Sequence, residues 1–158
     1  MFRDVVRQKQ KLQRDDCIAL LKNEVRGVLA VLGDDDYPYA VPTNYWYCED
    51  DGLLYFHSGN SGHKIDAIRR HDKASFCVYD SGVRKEGDWA LTFKSVIVFG
   101  DIRVVEDHAR AIEITRQLSL RFTQDTDYIE DEIRRAGRRT LVFALEPKHI
   151  TGKIIHEA

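Results

Sequence analysis

Cysteine is scarce: Cys17, Cys48 and Cys77 are the only three. Their odd number and wide spacing imply neither a disulfide framework nor a zinc site. Cys17 and Cys77 stand among apolar neighbours and read as buried thiols, which fits a reducing, cytoplasmic setting. Excess charge of one sign is also lacking. A net charge of −2 argues against a broad nucleic-acid surface. No apolar run reaches membrane-spanning length. The opening Met-Phe-Arg-Asp-Val-Val-Arg lacks the apolar core of a signal peptide, so no membrane association is expected. Internal repeats and low-complexity segments are missing. No Walker or Rossmann glycine pattern occurs, no His-Glu-x-x-His and no defensible Ser-His-Asp order. P-loop, dinucleotide-fold, zinc-hydrolase and triad chemistries thereby lose their sequence support.

What is present centres on residues 55–70, Tyr-Phe-His-Ser-Gly-Asn-Ser-Gly-His-Lys-Ile-Asp-Ala-Ile-Arg-Arg. Tyr55 and Phe56 favour a strand. Ser58 to Gly62 are small turn formers. Ile65 and Ile68, with Ala67 between them, mark one face of a helix, for which Asn60 or Ser61 is the expected cap. A glycine-rich turn running into a helix start offers free N–H groups and a partial positive charge. With Ser58, Ser61, His63 and Lys64 added, the composition suits a phosphate. It suits an ordinary strand–turn–helix link equally well.

Elsewhere the pattern is mainly β. Residues 1–13 read as a polar, basic arm that could meet a partner. Asp15 and Asp16 resemble a cap for a short helix bearing Cys17, Ile18, Leu20 and Leu21. Strands are expected at 26–32, 37–48, 53–57, 74–79, 89–106 and 140–145, with Gly100 as a bend or bulge. Pro38 and Pro42 mark the second as an edge or bulged strand. Asn44, unfavourable within a strand, is there either for its amide or as part of a bulge. Asp107 caps a helix at about 108–122, and another follows from Tyr128. The run Arg134 to Arg139 is a solvated helix end or a contact for a phosphate or acidic partner. Six short strands at hairpin spacing argue one domain over 1–158, a small antiparallel barrel with inserted helices.

The segments Val41-Pro-Thr-Asn-Tyr45, Phe56-His-Ser58, Gly62-His-Lys-Ile-Asp-Ala-Ile68, Ser75-Phe-Cys-Val78 and Ser95-Val-Ile-Val-Phe-Gly100 resemble the FMN-binding split barrels. The nearest branch is the pyridoxamine 5'-phosphate oxidase-like proteins related to nitroimidazole-resistance reductases. The likeness runs from about Arg26 to Lys153. It implies a six-stranded split β-barrel and a homodimer with one FMN in each of two clefts between subunits. Ser61, His63 and Lys64 stand at the family's Ser-Arg-Lys phosphate triplet, with histidine in place of arginine. Val41, Pro42, Thr43 and Asn44 match the strand along the isoalloxazine. Phe56, His57 and Ser58 match the strand end beside it, and Ser95 a polar position reaching the flavin from the other subunit. The arginine-containing C-terminal motif of true pyridoxamine 5'-phosphate oxidases is missing.

The reading that follows is an FMN-dependent oxidoreductase passing electrons from NAD(P)H to a small organic acceptor. His57 is its candidate catalytic residue, touching flavin or substrate; a hydrogen-bonded strand-end role is the equal alternative. A non-catalytic flavin-binding or storage protein is a second class. A haem-binding split barrel, with His57 or His149 on the iron, is a third.

Overall fold

The computed structural model describes residues 1–157. Its framework is an antiparallel sheet in the order β2-β1-β5-β7-β8-β4-β3, with β6 added beside β7. The strands are β1 (Arg26–Leu32), β2 (Pro38–Asn44), β3 (Trp46–Tyr47), β4 (Leu54–Gly59), β5 (Lys73–Tyr79), β6 (Val83–Arg84), β7 (Leu91–Val104) and β8 (Thr140–His156). The helices are α1 (Arg14–Asn23), α2 (His63–Arg70), α3 (His108–Leu120) and α4 (Thr126–Ala136).

The first and last strands of this order are β2 and β3, which only Tyr45 separates in the chain. The sheet therefore curls until its two edges meet at a covalent link rather than a ladder. Tyr45 is fully buried there. Its hydroxyl donates to the Leu21 carbonyl at 2.7 Å, and its ring meets Phe76 edge-on at 4.9 Å. Burial pushes its phenol well above the usual value. This is a mainly antiparallel split barrel with helices, the expected class.

Alternation divides each strand between two cores. Phe56, Phe143, Phe76, Val96 and Val98 fill the lumen, which α1 closes with Leu20 and Leu21 and α2 with Ile65 and Ile68. On the outer face Tyr55, Val142 and Ala144 pack under Ile114 and Leu118 of α3. The α3–α4 hairpin thus covers the back of β4 and β8.

Several expectations need correction. Eight strands are present rather than six. The expected 37–48 strand is cut at Tyr45, and the stretch 80–88, between two expected strands, contains β6. The expected final strand at 140–145 continues to His156, because its far half pairs with β7 while its near half also pairs with β4. The N-terminal arm is not free: Leu12 N–H donates to the Gly152 carbonyl at 2.9 Å, and Val5 and Leu12 are buried. Asp15 and Asp16 do not cap α1. Gln13 precedes the helix, and the two carboxylates sit in its first turn, where the dipole favours them. Cys77 is only half-buried on the outer face of β5, whereas Cys48 is buried. Asp107 and Asp125 do cap α3 and α4, accepting from Arg110 N at 2.7 Å and Tyr128 N at 3.0 Å.

Gly100 is a bulge as expected: the β7–β8 register shifts between Phe99 and Gly100. A Cβ there would overlap the Glu146 carbonyl oxygen. Among the described residues no helix is long and apolar enough to cross a membrane.

Candidate functional site

The strand β4 leads directly into the candidate site. Ser58 and Gly59 belong to it rather than to the following turn. The chain reverses over Asn60 to Gly62 and enters α2 at His63. Neither Asn60 nor Ser61 caps this helix. Gly62 takes the N-cap place at φ +124°, a conformation that suits glycine, and no side chain bonds the helix start. The first helical bond is Asp66 N–H to the Gly62 carbonyl at 3.0 Å. The N–H groups of His63, Lys64 and Ile65 precede it and have no partner within the helix.

Lys64 lies in the first turn, half-buried, with Nζ 5.5 Å from the centre of the Phe143 ring. Among the described residues it makes no ion pair. Desolvation holds its pKa below the ordinary lysine value. A partly desolvated cation resting on an aromatic face beside free N–H groups has the chemistry that suits an anion.

The other two members of the triplet differ. Ser61 is exposed. His63 is held by the β1–β2 turn: its Nε2 accepts from Asp34 N–H at 3.1 Å, and its ring stacks on Tyr39 at 4.2 Å. Arg70 also bonds Asp34, at 2.7 Å, and that bond lowers the Asp34 carboxyl. Of the two basic residues in the first turn, Lys64 is the one left without a carboxylate nearby.

His57 projects from the outer face of β4. It borders a cavity of about 360 Å³ between the end of β4 and the α3–α4 hairpin, which Ser58 also lines. Desolvation, helped by the Lys64 charge, keeps the His57 imidazole below the usual histidine pKa. Phe56 points the opposite way, fully buried between Phe143 at 5.4 Å and Phe76 at 5.0 Å. Its side chain is core, so only its backbone can border a ligand.

On β2, Val41 packs toward the core, and Pro42 lies exposed. Thr43 Oγ1 donates to the Asn44 carbonyl at 3.3 Å, and Asn44 Oδ1 accepts from Arg26 Nε at 2.8 Å. Pairing with β1 alone leaves the other edge of β2 without a sheet partner, as its prolines led us to expect.

Ser95 is not with the rest. It pairs with Lys153 on β8, whereas Ser58 pairs with Leu141, twelve residues away on the same strand. At about 3.3 Å per residue the separation is roughly 40 Å along the strand. Within one chain the two do not share a site.

Sequence reasoning missed the hairpin's contribution to the cavity, chiefly Thr115, Ser119, Ile129, Glu132 and Ile133. One signal was available: Thr115 and Ser119 are four apart and thus share one face of α3.

Fold and site together define a split barrel with an uncapped, cation-bearing helix start and a cavity behind the end of β4. The chain belongs to the pyridoxamine 5'-phosphate oxidase family, whose model matches residues 13–154. No curated protein matches it in sequence. Among solved structures it is similar to a candidate 5-nitroimidazole antibiotic resistance protein from Bacteroides thetaiotaomicron. That pair has 20% identity and a TM-score of 0.75, covering 92% of this chain and 87% of that one. It is also similar to two proteins of Mycobacterium smegmatis. One is an FAD and heme binding protein, with 20% identity, a TM-score of 0.73 and coverage of 95% and 74%. The other is an FAD binding protein, with 21% identity, a TM-score of 0.67 and coverage of 94% and 99%. At these identities the likeness speaks for the fold.

Proposed function

We propose that the chain is an FMN-dependent oxidoreductase that passes electrons from NAD(P)H to a small organic acceptor. The observation that carries this reading is Lys64, half-buried and without a carboxylate at the uncapped start of α2. A terminal phosphate fits that place: the N–H groups supply donors, and Lys64 supplies charge. Ser61 is within the same turn. Family membership and the flavin-binding relatives support a flavin as the group that brings the phosphate. When bound, the flavin supplies the redox chemistry. The chain's part is to hold and orient it through the β2 edge at Val41 to Asn44 and the end of β4. A visible spectrum of the purified protein, followed by titration with FMN and turnover with NAD(P)H, tests the proposal. The absence of both flavin absorbance and FMN uptake would remove it.

A haem reading has one observation in its favour, an exposed imidazole, His57, facing a cavity. A Soret band in place of flavin bands selects it.

The site is completed in a homodimer. Ser95 lies on β7, paired with the far half of β8 and too distant to join its own chain's site, and its neighbours on that face, Ile97 and Phe99, are exposed apolar side chains. The expected result of light scattering at micromolar concentration with FMN is a dimer. Ile97→Lys weakens it, and a stable wild-type monomer contradicts it.

His57 acts on the acceptor or the ring rather than on the phosphate. His57→Gln is expected to leave FMN affinity within about twofold, since no phosphate contact is lost, and to alter reductase turnover. Its lowered pKa fixes the sign of the pH effect. Above the unfolded value of about 6.5 the imidazole is neutral in both states. As pH falls below that, the unfolded chain takes the proton first, so stability decreases toward the folded pKa. The variant should lose both this acid-side destabilisation and the acid limb of the turnover profile. Identical profiles for wild type and variant between pH 5 and 8, roughly the range of histidine titration, would remove His57 from the site.

A further inference from the structure

The cavity behind His57 has a hydrogen-bonding polarity of its own. Five hydroxyl-bearing residues line it, Ser58, Thr115, Ser119, Tyr128 and Thr140, and the three on its helical side, Thr115, Ser119 and Thr140, each commit their one proton to a helical carbonyl four residues back. Thr115 donates to Ala111 at 2.9 Å, Ser119 to Thr115 at 2.9 Å, and Thr140 to Ala136 at 3.0 Å. What these oxygens retain is acceptor capacity. The one charged side chain among the lining residues is Glu132, another acceptor. It makes no ion pair among the described residues, whereas its neighbours Glu130 and Asp131 are held by Arg116, Arg134 and Arg135. No lysine or arginine lines the cavity. Ile129 and Ile133 give it an apolar wall. Its volume of about 360 Å³ falls in the range of small-molecule sites.

We propose that this cavity binds the small organic molecule on which the flavin acts, and that it selects an uncharged or cationic hydrogen-bond donor over a phosphate or carboxylate. Its role as acceptor pocket rests on the flavin reading above; the ligand class rests on the lining alone. An amine or hydroxyl of the ligand meets the free lone pairs of Thr115, Ser119 and Thr140, and its apolar part meets the isoleucines. Glu132 adds attraction for a cation. An anion would find donors only in the neutral groups of the lining, such as the Ser58 and Tyr128 hydroxyls, and would face the Glu132 carboxylate with no lysine or arginine to compensate, which disfavours it. His57 stays mostly neutral near pH 7 through desolvation and supplies no such charge. Phosphorylated substrates such as pyridoxamine 5'-phosphate are thereby disfavoured by the lining itself.

The test titrates the full chain, with and without FMN, with benzylamine, benzyl alcohol and benzoate, three probes of one shape and different charge. Amide NMR shifts report the location. Benzylamine and benzyl alcohol are expected to move the amides of Ser119, Ile129 and Thr140, and benzoate to bind most weakly. A partly exposed ion pair is worth up to about fivefold. Benzylamine should exceed benzyl alcohol by roughly that factor, and Glu132→Gln should abolish the difference. Ala136→Phe should block all the probes and leave FMN affinity intact. If that variant fails to fold, Thr115→Val, which removes a lone pair at nearly constant volume, should weaken benzyl alcohol. Benzoate binding as tightly as benzylamine overturns the proposal, and so do probes that leave these amides unmoved. FMN uptake without probe binding sinks the cavity assignment alone. Probe binding without FMN uptake upholds the assigned ligand class and sinks the flavin reading.

Discussion

Lys64→Ala is expected to weaken FMN by about ten- to a hundredfold and to leave riboflavin nearly unchanged. Lys64 is half-buried and carries no carboxylate, so its charge is not neutralised within the chain. Its place in the first turn of α2 puts it beside N–H groups that no side chain caps. A charge-assisted hydrogen bond to phosphate is worth roughly 1.5–3 kcal/mol, which gives the stated factor. Riboflavin shares the ring and lacks the phosphate, so it isolates this term. Fluorescence titration of both ligands against wild type and variant measures it. Lys64→Met serves as a control, because it retains an apolar stem over Phe143 while losing the charge. Equal losses of FMN and riboflavin would mean that Lys64 acts through folding.

The fold class was legible because alternation is local. In β1, β5 and the middle of β7, from Val96 to Ile102, every second residue is buried, and that period is visible without knowing the partner strand. Gly100 was legible for a similar reason, since a glycine inside a strand marks a bulge or a close backbone approach. The length of β8 was not legible. Thr140 to Leu145 alternates cleanly, but Pro147, His149 and Lys153 interrupt the pattern. They are tolerated because the bulge opposite Gly100 sits at Pro147–His149 and because the strand has β7 beside it from Phe143 to His156. The break at Tyr45 was hidden for the opposite reason. Tyr37 to Cys48 reads as one strand, and only closure of the barrel decides that its two halves pair with different neighbours.

At the candidate site, the turn and helix start were legible from composition, but the cap was not. Asn60 and Ser61 have the better capping side chains, yet the reversal demands φ +124° at the N-cap, where glycine is favoured. The difference between Lys64 and His63 was also beyond a linear reading. It depends on Asp34 and Tyr39, some 25 residues earlier, reaching His63 across the barrel wall. The cavity needed α3 and α4 to be placed on the back of β4, a tertiary fact that spacing along either helix does not contain.

Phe56 provides the sharpest separation of core from site. Its neighbour His57 faces the cavity, whereas the Phe56 ring lies in the lumen with no exposed surface. It stacks on Phe143, the ring that carries Lys64, and meets Phe76 edge-on. Phe56→Ala removes the middle of this aromatic row, and the enclosing strands prevent full collapse of the space. The expected cost is about 3–5 kcal/mol, which for a chain of this size lowers the melting temperature by roughly 6–20 °C. Phe56→Leu refills most of the volume and should cost less. If the side chain is core and only the backbone borders a flavin, the leucine variant keeps FMN affinity within about threefold, under 1 kcal/mol. Calorimetric melting and FMN titration on both variants decide the matter. A leucine variant that melts like wild type yet loses FMN would place the Phe56 ring against the ligand and overturn its assignment to the core.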